Sequence, residues 1–260
     1  MKFTCLFFLL ISSFTLLLSG EDKKAVSSPV KLPLKADLPA DISAEELFAK
    51  VCSNCHGKKG EGSEALKAPS IAGLPAWYVQ TQIKKFRTDL RGISPEDPAG
   101  QIMHNIINAI NMDQAEGVAK LIAAMPMHPT QNVLGGDSQK GKEVFMGVCA
   151  KCHRFNGKGE IVFGSAPLIG LQDWYIRAQL HKFRKGIRGG NPADEKGHKM
   201  HEMTQYLSPE EAADVTAYIA VLAQKHANTK SRRDREFEEM QKRKKQKAQG
   251  KNALPKELRE

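Results

Sequence analysis

The chain has 260 residues and a formal net charge of +10 at pH 7, with 26% of its residues charged. This length exceeds one typical domain and suits two domains of modest size with additional tails. Residues 225–260 contain thirteen Lys/Arg and six Asp/Glu, and without this tail and Lys2 the body has a net charge of only +2. Composition therefore excludes a single small domain and a uniformly basic body.

Residues 1–20 have the pattern of an export leader. Residues 3–18 are nearly all apolar, and polar sequence begins at Glu21, as in a secretory signal peptide. Leu18 stands where a cleavage site prefers a small residue, so an uncleaved N-terminal anchor is the alternative. The apolar stretch is, however, shorter than the roughly 20 residues of a membrane-spanning helix. We expect export to the periplasm with cleavage, and we expect Cys5 to take no part in the fold.

Composition divides the remaining chain into five parts. Residues 21–40 contain three prolines among lysines and serines, which predicts an extended linker. Two prolines and two glycines fall close together in mid-chain and predict an interdomain connection. We expect a linker at 21–40, a first domain at 41–126, a connection at 127–136, a second domain at 137–224 and a basic charged tail at 225–260.

Two Cys-x-x-Cys-His pentads, at residues 52–56 and 149–153, stand 97 positions apart. The pentad is typical of c-type haem attachment. Two thiols one helical turn apart can bond to the two vinyl groups of one haem, and the histidine that follows can bind its iron. The sequence therefore predicts two covalently bound c-type haems, attached through Cys52, Cys55, Cys149 and Cys152 and bound at iron by His56 and His153.

Three other uses of these cysteines are possible in principle. A zinc site needs four ligands, so both pentads would have to converge on one ion and leave both histidines without a role. A thioredoxin-like redox pair needs a preceding strand, and the sequence predicts none before either pentad. Structural disulfides would also leave the histidines unexplained. Haem attachment is therefore the preferred interpretation.

Helix signals precede each pentad and end each repeat. Ser43 and Glu46 form a capping-box pattern before the first pentad, and the matching helix begins near Asp137 or Ser138. Each repeat closes with an amphipathic helix. In the first repeat it is capped at Asn111 and its apolar stripe is Val118, Leu121, Ile122 and Met125; in the second it is capped at Ser208 and its stripe is Val215, Tyr218, Ile219 and Leu222. No period-2 strand pattern of useful length is present. The sequence predicts an all-α protein of two tandem domains, each a few helices wrapped around one haem.

The sixth ligand of each iron decides the chemistry of its haem. Of nine methionines, only Met103 and Met200 are related by the 97-residue offset, each 47 positions after its pentad histidine. Methionine ligation raises the haem potential and suits electron transfer. His104 and His201 follow directly and also match at the offset, so bis-histidine ligation is the alternative. Met203 is a further rival in the second repeat.

The pentad, a Pro…Gly turn, the spaced Tyr, Gln, Phe and Arg, the methionine and the Leu-Ser-x-Glu-Glu helix start together resemble a class I cytochrome c domain. Two such domains in tandem are similar to cytochrome c4, over about residues 41–224. In that family the methionine eight positions before the serine of the last helix binds iron, which from Ser208 implies Met200. The family also uses a proline carbonyl to orient the ligand histidine. Pro69 corresponds in the first domain, whereas the second reads as one residue shorter, and Pro167 is expected to take the role with a local shift.

The resemblance further implies that the domains lie back to back with their haems near the interface. The aromatic pairs Trp77/Tyr78 and Trp174/Tyr175 would then line a haem or the interface, the alternative being an ordinary core position. Four arginines could pair with haem propionates as charge-assisted forks, the alternative being a solvated helix face; they are Arg87, Arg91, Arg184 and Arg188.

The leading hypothesis is a dihaem electron carrier between periplasmic or membrane-bound respiratory partners, such as a terminal oxidase. The alternative is a dihaem redox enzyme of the peroxidase or thiosulfate-oxidising type. Such an enzyme needs an open or displaceable ligand at one haem, which the symmetry of the repeats argues against. The basic tail is either a flexible extension or a docking segment for an acidic partner or a membrane surface. Nucleic-acid binding is not expected of an exported haem protein.

Overall fold

The computed structural model describes residues 38–39, 41–228 and 243, all within one compact unit of the chain. The predicted leader, most of the predicted linker and most of the predicted basic tail lie outside the described residues. Regular structure in the described part is helical, with two isolated β-bridges and no strand, which confirms the predicted all-α fold. None of the described helices is both long and apolar enough to cross a membrane.

The described part of each repeat contains four helices in the same order. Helix α1 joins Ala44–Leu47, a π-helical turn at Phe48–Cys52 and Ser53–His56, and is followed by α2 (Ala76–Arg87), α3 (Pro98–Ala109) and α4 (Met112–Ala124). Helix α5 joins Ser138–Val144, a π-helical turn at Phe145–Cys149 and Ala150–His153, and is followed by α6 (Asp173–Arg184), α7 (Glu195–Thr204) and α8 (Pro209–Asn228). In both repeats the first pentad cysteine ends a π-helical turn, a local distortion that is frequent at functional sites.

The predicted helix starts are confirmed by their capping bonds. Ser43 and Glu46 form a reciprocal capping box at α1, and the Asp137 side chain caps α5. At α8 the Glu211 backbone N–H donates to the Ser208 hydroxyl at 3.1 Å, and the Ser208 N–H donates to the Glu211 carboxylate at 2.8 Å. These side chains satisfy backbone N–H groups that have no partner inside the helix.

The apolar stripes of the closing helices face the core, as predicted. Val118 and Ile122 of α4 are buried, and so are all four stripe residues of α8. Phe145 of α5 is fully buried and its ring centroid lies 5.5 Å from that of Tyr218. The first and last helices of each repeat therefore form the core against which the rest of the domain packs.

Close packing of these two helices depends on a glycine in each repeat. In the second repeat, a Cβ atom added at Gly141 of α5 would overlap the backbone of Asp214 in α8. In the first repeat the corresponding pair is Ala44 of α1 and Gly117 of α4, where an added Cβ would lie 3.1 Å from the Ala44 Cβ. The glycine lies on the last helix in the first repeat and on the first helix in the second, and in both repeats it allows the two helices to approach closely.

Helices α3 and α7, which contain Met103 and Met200, were not predicted from the sequence. Their start signals are present, because Asp97 is followed by proline at the first helical position and Asp194 occupies the same position in the second repeat. Each aspartate accepts a bond from the backbone N–H three residues later, at 2.8 and 3.0 Å. Helix α7 is so polar that no apolar stripe marks it.

Replacing Gly141 with alanine should destabilise the second domain, because the new methyl group would overlap the backbone of Asp214. Overpacking costs roughly 1–3 kcal/mol, and a backbone collision belongs at the upper end of that range. Gly147→Ala is the matched control, since an added Cβ there meets no atom within 4 Å. Urea unfolding of the haem-loaded protein measures both variants, and equally small effects would contradict the close approach of the helices.

Candidate haem sites

The four pentad cysteines are free thiols near the ends of α1 and α5. Burial raises the pKa of Cys52 to about 12 and that of Cys149 to about 11. A thioredoxin-like pair instead needs a nucleophilic cysteine of lowered pKa, so this alternative is not supported. Within the described residues no three His, Cys, Asp or Glu side chains cluster in a way that could hold a metal ion. The pentads therefore do not converge on zinc.

Each pentad histidine is buried and held in one orientation. The Nδ1 atom of His56 lies 2.7 Å from the carbonyl oxygen of Pro69, and that of His153 lies 2.8 Å from the carbonyl oxygen of Ala166. A carbonyl oxygen only accepts, so Nδ1 carries the proton and Nε2 keeps the lone pair that can bind iron. Burial also lowers the pKa of both imidazoles, which favours the neutral form required of a metal ligand.

The contact in the second domain corrects the expectation that Pro167 supports His153. The carbonyl thirteen residues after the histidine accepts the bond in both repeats. The surrounding backbone hydrogen bonds also match at the 97-residue offset, so no residue is missing from this loop. Ala166 therefore stands at the position of Pro69, and Pro167 stands one residue later. The histidine needs a carbonyl and not a proline ring, and any residue supplies a carbonyl.

These features fit a covalently bound haem. Two free thiols and a neutral imidazole with an available Nε2 are the groups that a c-type haem takes from its protein. At equivalent positions of the loop after its pentad, each domain exposes a large apolar side chain, Leu66 at 44% and Phe163 at 43%, and the second domain also exposes Phe155, Ile161 and Val162. Such side chains are suited to contact an apolar macrocycle.

The predicted methionine ligands lie on equivalent helices. Met103 of α3 is half-buried and packs against the core, and Met200 of α7 is also half-buried. Met203 is 42% exposed, which makes it a poor rival. We propose Met103 and Met200 as the sixth ligands of the two irons, since a thioether is a soft ligand suited to haem iron.

The neighbouring histidines have other partners. The Nε2 atom of His104 lies 2.7 Å from the Asp89 carboxylate, and Nδ1 of His201 lies 2.5 Å from the carbonyl oxygen of Phe183. Protein groups therefore orient both rings. The His104 contact occupies Nε2 and favours Met103 in the first domain, whereas the His201 contact leaves Nε2 available, so the choice of Met200 rests on the repeat.

A symmetric pair of ion pairs joins the two domains. The Nζ atom of Lys85 lies 2.6 Å from Asp194, and that of Lys182 lies 2.6 Å from Asp97. Both aspartate side chains are under 10% exposed. Because these aspartates cap α7 and α3, a lysine of each domain is bonded to the start of the methionine helix in the other domain.

Arginine side chains add to this interface. Arg91 donates to the Tyr175 hydroxyl at 2.9 Å, and Arg188 donates to the Gln82 side chain at 2.9 Å. Arg87 instead donates to two backbone carbonyls of its own domain. These three arginines therefore do not lie on a solvated helix face. Together with the two interface lysines, Arg91 and Arg188 bring four positive charges against two aspartates.

The two aromatic pairs have different surroundings. Each tryptophan meets its neighbouring tyrosine edge to face, with ring centroids 5.7 Å apart at Trp77/Tyr78 and 5.8 Å apart at Trp174/Tyr175. Tyr78 belongs to the buried core, whereas Tyr175 lies at the domain interface. Burial acts to raise the pKa of Tyr175, but the nearby arginines outweigh it and the pKa is lowered. The interface is therefore electropositive at this point.

Two tandem helical domains, each with a pentad for covalent haem attachment and a histidine prepared to bind iron, define a dihaem c-type cytochrome. The chain belongs to the cytochrome c family, whose model matches residues 43–125 and 138–223. Each domain binds one covalently attached haem, and the family transfers electrons.

Similar proteins support this assignment. A thiosulfate dehydrogenase electron acceptor of Stutzerimonas stutzeri (strain A1501) is 28% identical over 187 residues, which are 68% of this chain and 81% of that protein. A solved thiosulfate dehydrogenase of Marichromatium purpuratum has a TM-score of 0.56 and 25% identity over 70% of this chain, but the match spans only 40% of that chain. Cytochrome c4 of Acidithiobacillus ferrooxidans has a TM-score of 0.53 and 26% identity, and the match covers 65% of this chain and 96% of that one.

The ligand assignment can be tested by replacing one methionine at a time. Met200→Ala should remove the far-red sulfur–iron absorption band of one oxidised haem, so that the band per protein falls to about half. Met203→Ala is the matched control and should leave the band unchanged. Visible spectra scaled to haem content measure both variants. A full band in Met200→Ala would show that its thioether does not bind iron.

Proposed function

We propose that the chain is a dihaem electron carrier in which His56 and Met103 bind one iron and His153 and Met200 bind the other. When bound, each haem supplies a one-electron centre that cycles between ferric and ferrous iron. The equivalence of the two sites carries the proposal. Both have the same histidine–carbonyl bond and a half-buried methionine on the same helix. A catalytic dihaem protein needs one unlike centre with an open position, whereas these sites offer the same groups.

The interface residues support a role in passing electrons between the domains. The ion pairs between lysines and helix-capping aspartates fix the two methionine helices relative to the opposite domain. The four interface cations exceed the two carboxylates, and a surplus of buried positive charge requires anions nearby. We propose that Arg91 and Arg188 face haem propionates, which would supply these anions and bring both haems to the interface.

The partners follow from the similarity and from the charge of the chain. The relative named as an electron acceptor of thiosulfate dehydrogenase supports a donor of the sulfur-oxidising dehydrogenase class. We propose a periplasmic route in which the chain takes electrons from such a dehydrogenase and delivers them to a terminal oxidase. The basic tail at 225–260 would dock on an acidic partner or on anionic lipid, an attraction that salt weakens.

A thiosulfate-oxidising enzyme is the second candidate, because one similar structure is a thiosulfate dehydrogenase. The chain spans less than half of that protein, so the activity of the whole protein does not transfer with the similarity. The two candidates differ in the sixth ligand. A carrier keeps both sixth positions filled, whereas an enzyme must open one of them to substrate.

The far-red sulfur–iron band of the oxidised protein, scaled to haem by pyridine haemochrome, decides between them. We expect two haems per chain with full band intensity, because both irons have a methionine ligand. We also expect no reduction by thiosulfate alone, but rapid reduction when a thiosulfate dehydrogenase is added. A half-strength band together with direct reduction by thiosulfate would instead establish the enzyme.

A further inference from the structure

The side chain of Gln172 crosses from the second domain to the first. Gln172 is the N-cap residue of α6, but its side chain makes no capping bond to that helix. Its Nε2 donates to the carbonyl oxygen of Glu61 at 2.7 Å, and its Oε1 accepts from the backbone N–H of Ser70 at 2.7 Å. The amide orientation is unambiguous, because the Ser70 N–H only donates and the Glu61 carbonyl only accepts.

The peptide that Gln172 contacts is the one that holds the first iron ligand. The peptide unit between Pro69 and Ser70 donates its N–H to Gln172 and accepts, through its carbonyl oxygen, from Nδ1 of His56 at 2.7 Å. The two hydrogen bonds share one peptide and polarise each other, since a peptide whose N–H donates becomes a better acceptor at its oxygen. Gln172 therefore strengthens the bond that orients His56.

The backbone leaves space for this amide. Gly62 has a φ of +83°, a conformation that favours glycine. A Cβ atom added at Gly62 would lie 2.6 Å from Nε2 of Gln172 and 2.5 Å from the Ser70 nitrogen. The loop itself needs a glycine here, as it does at Gly159 in the second repeat, and in the first domain this glycine also leaves room for the Gln172 amide.

The second domain has no equivalent of this contact. The residue after Ala166 is Pro167, which has no N–H to donate, and the position that matches Gln172 in the first domain is Pro75. The carbonyl that accepts from His153 therefore cannot be polarised in the same way. The two sites therefore differ at the peptide that accepts the bond from the pentad histidine.

We propose that Gln172 is a positioning residue through which the second domain lowers the midpoint potential of the first haem. A stronger hydrogen bond at Nδ1 makes the His56 imidazole a more basic ligand, and a more basic ligand stabilises ferric iron. The potential of the first haem then depends on contact with the second domain, and the two haems become unequal. This inference rests on the proposed function, in which His56 binds iron.

The test uses the full haem-loaded chain in a Met200→Ala background, where the sulfur–iron band of the oxidised protein comes from the first haem alone. Redox titration followed at this band gives the midpoint potential of that haem. Gln172→Leu should raise this potential, because the carbonyl of Pro69 loses its polarisation. The proton NMR shift of the ligand Nδ1–H should move toward that of a weaker hydrogen bond.

Two further variants separate polarisation from a loosened interface. Gln172→Glu keeps an acceptor for the Ser70 N–H and should hold the proton NMR shift of the ligand Nδ1–H at its starting value, whereas a purely structural role would move that shift as in Gln172→Leu. Its added negative charge lowers the potential by itself, so the NMR shift is the deciding measurement for this variant. Pro167→Ser is the matched control, because it restores an N–H in the second domain where no glutamine accepts it. This change should leave the potential of the first haem unaltered.

An unchanged potential in Gln172→Leu, with the band intact, would overturn this inference and leave the ligand assignment standing. A moved Nδ1–H shift in both Gln172→Leu and Gln172→Glu would also overturn it, because loss of packing would then be the cause. Absence of the band in the Met200→Ala background would instead contradict methionine ligation of the first haem. The two failures are therefore distinguishable.

Discussion

The hydrogen bond from each pentad histidine to a carbonyl thirteen residues later is the constraint on which both domains depend. It places the proton on Nδ1 and reserves Nε2 for iron, so the chain must return to the histidine with a backbone oxygen pointing inward. Glycines with positive φ close this loop in both repeats, where Gly62 and Gly159 donate to the carbonyls of His56 and His153. The residue that supplies the carbonyl can change because only its backbone is used.

The helices that contain Met103 and Met200 are each fixed from the other domain. Asp97 and Asp194 each accept two bonds, one from the first turn of a methionine helix and one from a lysine across the interface. A buried ion pair contributes little net stability, because desolvation offsets much of the attraction. A carboxylate that also caps a helix has another effect, since it sets where that helix begins relative to the neighbouring domain. Docking of the domains therefore also determines where the methionine helices lie.

The features predicted correctly from the sequence depend on residues close together in the chain or on the 97-residue repeat. The capping residues and apolar stripes are read within one helix, and the haem pentads are read within five residues. The predicted carbonyl partner of His153, Pro167, was wrong, and the partner is Ala166. The proline lies one position later in the second repeat than in the first, and this displacement made the loop look one residue shorter than it is. No sequence pattern predicts the cross-domain contacts, since Gln172 and Glu61 are 111 positions apart and form their hydrogen bond only once the domains dock. These contacts depend on how the two domains dock and not on any pattern within one segment.

Duplication explains why the sites are alike, and single replacements explain how they can differ. Two haems of equal potential give an electron no preferred position between them, whereas unequal potentials favour entry at one and exit at the other. The loop after each pentad keeps its backbone bonds in both repeats, but only the first has an N–H at the residue after the carbonyl. Polarising that peptide from the second domain would create a difference between haems without changing an iron ligand. Separation of the domains would then remove this contribution to the difference between the haems.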